Sequence, residues 1–205
     1  MHTTKLRFVE TGDVSLPERK DNLRAYMKKR RADNENRDVK EILLCQNASK
    51  VLDEFEKKAG AGTRRNVFVY LAYSSEAPTD KLIEVLQEKG FSLFCPKVEN
   101  GEMQAVAFGE DFTISHMGIR EPVGEALKGA PDYVITPLLA ADEKGNRLGY
   151  GKGYYDRYLA KYSTAVRIGY AFDFQILHEV PTNERDEKLD VLVTDKRVVF
   201  TLARE

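Results

Sequence analysis

The stretch that decides the fold runs from Asn66 to Pro96 and reads "NVFVYLAYSSEAPTDKLIEVLQEKGFSLFCP". Its opening part, "NVFVYLAY", is β-branched, aromatic and apolar, which is typical of a buried strand. The segment Thr79–Gly90, "TDKLIEVLQEKG", has helical spacing, with a threonine at the capping position and a glycine at its end. The apolar segment "FSLFCP" follows at once. This order predicts a strand, a helix and a second strand, as in a βαβ unit with parallel strands.

The same alternation continues to the end of the chain. Strands are expected at residues 103–108, 132–139, 165–172, 189–195 and 197–200, and a helix is expected at residues 154–161. Alternating strands and helices favour a parallel sheet with helices on both faces. The sequence therefore predicts an α/β protein with three α/β/α layers and a mostly parallel central sheet.

Two helices are expected before this region. The first begins at Leu16, after Ser15 as N-cap, and the second carries apolar residues at spacings of three and four until Gly60 and Gly62 end it. The first helix has a basic stripe, which we define as Lys20, Arg24 and Lys28, on one face because these residues are four apart. The stripe is either a solvated surface or part of an anion site.

Composition narrows the class of protein. At 205 residues, with 42% hydrophobic residues and a net charge of −1, the chain is expected to form a single domain over residues 15–205, after an extension at 1–14 with one short strand near residues 5–9. The balanced charge disfavours nucleic acid and anionic membranes as partners. Without a long apolar run or a signal-peptide core, we expect a cytoplasmic location.

The cysteines and histidines do not suggest a metal site. Cys45 and Cys95 are far apart and lie in apolar segments, so both are expected in the core. The three histidines lack the spacing of zinc ligands.

A second stretch carries chemistry. "RLGYGKGYYDRYL" (Arg147–Leu159) places three glycines at alternate positions before the expected helix, with Lys152 between two of them. Glycine backbone, a helix N-terminus and a lysine together suit a phosphate group. The stretch is not a P-loop, because Asn146 stands at the first glycine position and Gly153 follows the lysine, and Tyr154 breaks the dinucleotide pattern. A glycine-rich turn without any ligand stays the alternative.

This glycine stretch resembles the signature of the 5-formyltetrahydrofolate cyclo-ligase family. Other segments resemble motifs of that family in the same order: "KDNLR" (20–24), "LAYSSEAPT" (71–79), "MGIREP" (117–122) and "NERDEKLDVLVTD" (183–195). The resemblance spans Lys20 to Asp195. It departs in "PLLAAD" (137–142), where Leu138 replaces a glycine and Ala141 an aromatic residue. These positions pack or shape the loop, so the departures are expected to affect details of affinity more than the reaction.

The resemblance implies a ribose-phosphate-isomerase-like fold and one reaction. In it, 5-formyltetrahydrofolate and ATP give 5,10-methenyltetrahydrofolate, ADP and phosphate, with Mg²⁺ as cofactor. The γ-phosphoryl group is transferred to the formyl oxygen, and N10 then closes the ring. Both attacking atoms belong to the substrate, so the protein contributes positioning and charge stabilisation. The implied partners are the two small-molecule substrates. The protein is expected to be a monomer.

The resemblance also implies roles for individual residues. It implies that Lys152 and Tyr154 are catalytic and that Asp156 and Asp190 bind magnesium. The residues expected to bind ATP are Lys20, Arg24, Arg147, Leu148, Gly149, Tyr150, Gly151, Lys152, Gly153, Tyr154 and Tyr155. Those expected to bind the folate are Leu71, Glu76, Gly149, Tyr150, Gly151, Lys152 and Gly153.

Several alternatives stay open at this point. Asp156 could serve only the start of its helix, Asp190 could be a turn residue before a strand, and Tyr155 could be a core residue. Lys97 could meet the glutamate tail of the folate or be solvated. For the whole chain, the rivals are a sugar-phosphate isomerase, a binding module without turnover and, least favoured, a nucleic-acid binder.

Overall fold

The computed structural model describes residues 15–60, 65–115 and 117–201, so the expected extension and its strand lie outside the described residues. The helices are α1 (Leu16–Ala32), α2 (Arg37–Ala59), α3 (Asp80–Glu88) and α4 (Tyr154–Lys161). The strands are β1 (Asn66–Val69), β2 (Ser92–Glu99), β3 (Glu102–Ala107), β4 (Phe112–Ile114), β5 (Arg120–Pro122), β6 (Tyr133–Thr136), β7 (Ala140–Asp142), β8 (Arg147–Leu148), β9 (Val166–Tyr170), β10 (Ile176–Leu177), β11 (Val191–Val193) and β12 (Val198–Phe200).

The described residues form one large sheet in the order β12-β11-β9-β6-β1-β2-β3. The five inner strands pair in parallel, whereas β3 and β12 close the two edges in antiparallel pairings. This confirms the prediction of an α/β protein with a mostly parallel central sheet. The narrower ribose-phosphate-isomerase-like assignment stays a prediction.

Helices cover both faces of the sheet because successive strand residues point to opposite sides. Val67 and Val69 of β1 pack into a core cluster with α2 and α3. Phe68, between them, packs on the other side with Tyr158 and Leu159 of α4. The layers are therefore helix, sheet and helix.

The N-terminal end of α2 departs from the expected apolar face. Val39, Ile42 and Leu43 are exposed, and the buried face begins only at Leu44 and Cys45. The expected end of α2 at Gly60 is confirmed by its positive φ of 91°, a conformation that glycine adopts without strain, while Gly62 lies outside the described residues.

The β2–β3 connection explains one antiparallel edge of the sheet. Asn100 and Gly101 have φ values of 52° and 81°. Positive φ at both central residues is the geometry of a tight hairpin turn, and Asn-Gly is the dipeptide that favours it.

Both cysteines are buried and free, as expected. Burial raises the pKa of the Cys95 thiol to about 12. Over the described parts of the chain, no helix combines the length and the apolar character needed to cross a membrane.

Candidate active site

A cavity of about 1320 Å³ lies at the carboxyl ends of the parallel strands. We call it the site cavity. Its walls include Leu71, which follows β1, and Pro137, which follows β6. The chain turns to opposite sides of the sheet after these two neighbouring strands, and such a switch point is the usual ligand site of an α/β sheet. The volume exceeds the roughly 300–1,000 Å³ of an ordinary single-ligand pocket, so two substrates can share it.

The glycine loop (Gly149–Gly153) forms one wall of the site cavity. Gly151 and Gly153 have φ values of 98° and 66°, which favour glycine strongly. A Cβ atom at Gly151 would lie 3.1 Å from Cζ of Arg24. Arg24 also donates from Nε to the carbonyl oxygen of Gly149 at 3.0 Å. Helix α1 and the glycine loop are therefore in direct contact.

The basic stripe of α1 faces the site cavity along its whole length, since Lys20, Arg24 and Lys28 all line it. Lys20 forms an ion pair with Asp186, and the two side chains are only 10% and 17% exposed. The Nζ atom of Lys28 lies 5.4 Å from the centre of the Tyr150 ring. The stripe is thus a wall of the cavity and not an isolated solvated face.

Arg147 is a buried cation in the same wall. Its side chain is 3% exposed, and Nη2 donates to Oδ1 of Asp156 at 2.7 Å. Within the described residues, its buried Nε has no hydrogen-bond partner. A buried guanidinium is costly without anionic partners, so this orphan donor suits a further anion such as a phosphate group.

The two aspartates expected to bind metal do not come together. Asp156 lines the site cavity. Asp190 precedes β11, and its Oδ2 accepts a hydrogen bond of 2.8 Å from the backbone N–H of Arg167 near the start of β9. It therefore lies at the amino ends of the parallel strands, whereas the cavity lies at their carboxyl ends. This placement favours the alternative of a turn residue before the strand.

Asp186, which the sequence reading did not single out, lies where Asp190 was expected. It lines the site cavity together with Asp156. Among the described residues, no group of three or more His, Cys, Asp or Glu side chains is arranged to hold a metal ion. Mg²⁺ needs only one or two protein carboxylates when water and substrate phosphates complete its shell. The pair Asp156 and Asp186 fits that donor set.

Lys152 is exposed at the cavity wall, and its Nζ lies 2.8 Å from Sδ of Met117 in the turn between β4 and β5. A thioether is a weak acceptor, so the ammonium group retains its capacity to bind an anion. The ring of Tyr154 also lines the cavity, with Cζ of Arg157 at 5.1 Å from its centre.

Tyr155 joins the core to the cavity. Its ring centre lies 6.3 Å from that of Phe68, and the residue also lines the site cavity, so the core and site interpretations both hold in part. Burial raises the pKa of Tyr155 well above its ordinary range, with Glu76 acting in the same direction. The phenol is therefore protonated at neutral pH and suits packing or hydrogen bonding.

Leu71 and Glu76 follow β1 on another wall of the cavity, and both are buried. The Oε2 atom of Glu76 accepts a hydrogen bond of 2.9 Å from the backbone N–H of Tyr73. Burial raises the pKa of Glu76, while that amide, Arg31 and Tyr150 act in the opposite direction. Lys97 does not line the cavity and pairs instead with Glu99 at 2.7 Å, which favours the solvated interpretation.

Comparisons with known proteins identify the family of this chain. The model of the 5-formyltetrahydrofolate cyclo-ligase family matches residues 17–195. A probable 5-formyltetrahydrofolate cyclo-ligase from Schizosaccharomyces pombe is 36% identical, with 66% of this chain and 77% of that protein covered. The 5-formyltetrahydrofolate cyclo-ligase of Escherichia coli K12 is 32% identical, with 64% and 79% covered.

A solved structure is also similar. The 5,10-methenyltetrahydrofolate synthetase from Aquifex aeolicus has a TM-score of 0.76 at 31% identity, over 91% of this chain and 94% of that one. The family match covers all the residues that line the site cavity except Leu16. The chain therefore belongs to the 5-formyltetrahydrofolate cyclo-ligase family.

Proposed function

We propose that the protein converts 5-formyltetrahydrofolate and ATP to 5,10-methenyltetrahydrofolate, ADP and phosphate in the site cavity. One observation carries the proposal. Segments that are far apart in the chain, each resembling a family motif, line a single cavity. They are represented by Lys20, Glu76, Met117, Lys152 and Asp186.

The reaction needs activation of a poor leaving group. The formyl oxygen attacks the γ-phosphorus of ATP, and the bond to ADP breaks. N10 then attacks the formyl carbon, and the carbon–oxygen bond breaks with release of phosphate. The protein supplies no nucleophile, so its contribution is to align the two substrates and stabilise charge on the phosphoryl group.

The cations around the glycine loop suit that role. Lys152 carries only a weak thioether contact, and Arg147 has an unused buried donor among the described residues, so both can bind phosphate oxygens. Lys20 and Arg24 of the basic stripe extend the same positive wall. Lys152 stands beside the transferred phosphoryl group, and its charge stabilises the transition state more than bound ATP.

Asp156 and Asp186 would hold Mg²⁺, in place of the expected pair Asp156 and Asp190. The ion, when bound, neutralises negative charge on the ATP phosphates. Both carboxylates are held by cations of this chain, Asp156 by Arg147 and Asp186 by Lys20. These contacts fix the side chains at the cavity wall.

The folate occupies the wall formed by Leu71 and Glu76, opposite the phosphate-binding cations. Leu71 offers an apolar surface to the pterin ring, and Glu76 offers a carboxylate. Tyr154 and the protonated Tyr155 border the space between this wall and the glycine loop. Residues 15–205 as one domain, the ribose-phosphate-isomerase-like fold, a monomeric state and a cytoplasmic location stay predictions from the sequence.

The test follows the near-ultraviolet absorbance of the methenyl product. We expect it to appear only when the protein, 5-formyltetrahydrofolate, ATP and Mg²⁺ are all present, with one ADP released per product. Turnover of a sugar phosphate without ATP would favour an isomerase instead. Folate binding without product under these conditions would favour a binding module.

A further inference from the structure

Arg31 is a buried cation that neither the sequence reading nor the proposed chemistry uses. It lies on α1 one turn beyond Lys28 and is 2% exposed. Its guanidinium donates to the carbonyl oxygen of Leu138 at 3.1 Å, to Oγ of Ser75 at 3.2 Å and to the hydroxyl of Tyr150. Burying a charge is costly, so a cation held by three neutral acceptors calls for an anion nearby.

Tyr150 provides the connection to an anion. Its hydroxyl accepts the bond from Arg31 and lies near enough to the carboxylate of Glu76 to interact with it. A hydroxyl oxygen that accepts a bond can still donate its own proton, so the phenol is able to bridge the two charged groups. Arg31 from α1, Tyr150 from the glycine loop and Glu76 from the segment after β1 therefore form one continuous chain.

The chain ends at the cavity. Tyr150 and Glu76 both line it, whereas Arg31 lies behind them. Arg31 thus does not touch a ligand in the cavity, and its effect must pass through Tyr150 and Glu76. The other titratable or charged groups that face Glu76 are Arg37 of α2, which donates to its carbonyl oxygen at 2.8 Å, Tyr70 after β1 and Tyr155 of α4.

We propose that Arg31 and Tyr150 are positioning residues that keep the carboxylate of Glu76 ionised and directed into the site cavity, where it accepts two neighbouring N–H donors of the folate ring. The proposal rests on the proposed function. A carboxylate has two acceptor oxygens, and the 2-amino-4-oxo ring of a folate presents two adjacent N–H donors, so the pair matches only when Glu76 is ionised. A protonated Glu76 would place its own donor against one of them.

The main test is Tyr150→Phe, which keeps the ring and removes the bridging hydroxyl. One lost bond to a charged group predicts a folate dissociation constant and KM about 10-fold higher, with the ATP KM within about 2-fold. The hydroxyl favours the carboxylate form, so its loss raises the pKa of Glu76. Folate affinity should accordingly be lost at a higher pH on acidification than in the wild type. Lys29→Met, an exposed charge on the same helix, is the control and should match the wild type.

A double-mutant cycle separates positioning from packing. Glu76→Gln has no carboxylate to hold, so adding Tyr150→Phe to it should change the folate KM by less than about 2-fold. An equal loss in both backgrounds, or an ATP KM that rises with the folate KM, would overturn the inference. A wild-type protein that fails to bind 5-formyltetrahydrofolate overturns the proposed function as well. Normal wild-type turnover with an unchanged Tyr150→Phe variant overturns only the positioning role.

Discussion

Asp186 and Asp190 are four residues apart. Exchanging each for asparagine distinguishes a residue of the site cavity from one that only supports the fold. Asp186 lines the site cavity in an ion pair with Lys20. At the other end of the sheet, Oδ2 of Asp190 accepts a hydrogen bond of 2.8 Å from the backbone N–H of Arg167. The two substitutions have the same size and remove the same charge, so each serves as the matched control of the other.

The structure gives different magnitudes for the two variants. Asp190→Asn weakens one charge-assisted hydrogen bond, which costs about 1 kcal/mol, and in a domain of this size lowers Tm by about 2–4 °C. Its magnesium requirement should not change. Asp186→Asn removes a carboxylate that we propose binds the metal, and we expect the Mg²⁺ concentration for half-maximal rate to rise by about 10–100-fold, the range seen when even an outer metal partner is lost. Excess Mg²⁺ should partly restore its rate.

The assay combines Mg²⁺ titrations of methenyl absorbance with thermal unfolding of each variant. A raised magnesium requirement in Asp190→Asn would refute our placement of that residue outside the site. A normal requirement in Asp186→Asn would refute the assignment of Asp186 to the metal.

Three further predictions can be tested with the same absorbance assay. Lys152→Met should lower kcat by about 10²–10³-fold, measured at saturating substrates, and excess Mg²⁺ should not rescue it because in the proposed mechanism the lysine contacts the phosphoryl group and not the metal. Glu76→Ala and Leu71→Ala should raise the folate KM far more than the ATP KM, and because Leu71 is 4% exposed, thermal unfolding must show that the variant is folded. Equal effects on both substrates would place these residues on the wrong side of the cavity. Deleting residues 2–14 should leave kcat/KM within a few-fold, since the family match begins at residue 17; an inactive but folded protein would contradict this.

The layers of the fold could be predicted because each buried strand and helix has its own periodicity. Helix α4, expected at residues 154–161, has those bounds in the structure. The antiparallel pairing of β2 with β3 was also accessible, since the dipeptide Asn100-Gly101 signals a tight hairpin. The small strands β7, β8 and β10 were not, because two- and three-residue strands carry no measurable period.

The site could be predicted only where a residue type is tied to a local motif. The glycine loop and the basic stripe have such patterns. Asp186 and Asp190 both precede the same strand, and only the tertiary structure shows which end of the sheet each one reaches. Arg31 lay within a run of basic residues at the end of α1, and its spacing from Arg24 and Lys28 indicates a shared face but not burial beneath the cavity.

The central claim is that the formyl oxygen is phosphorylated in this cavity. It is tested most directly with 5-formyltetrahydrofolate labelled with ¹⁸O in the formyl group, incubated with the protein, ATP and Mg²⁺. The isotope in the released phosphate is then measured by ³¹P NMR. The account predicts one ¹⁸O atom in each phosphate, because the oxygen leaves the carbon with the phosphoryl group. Unlabelled phosphate formed together with the methenyl product would contradict it.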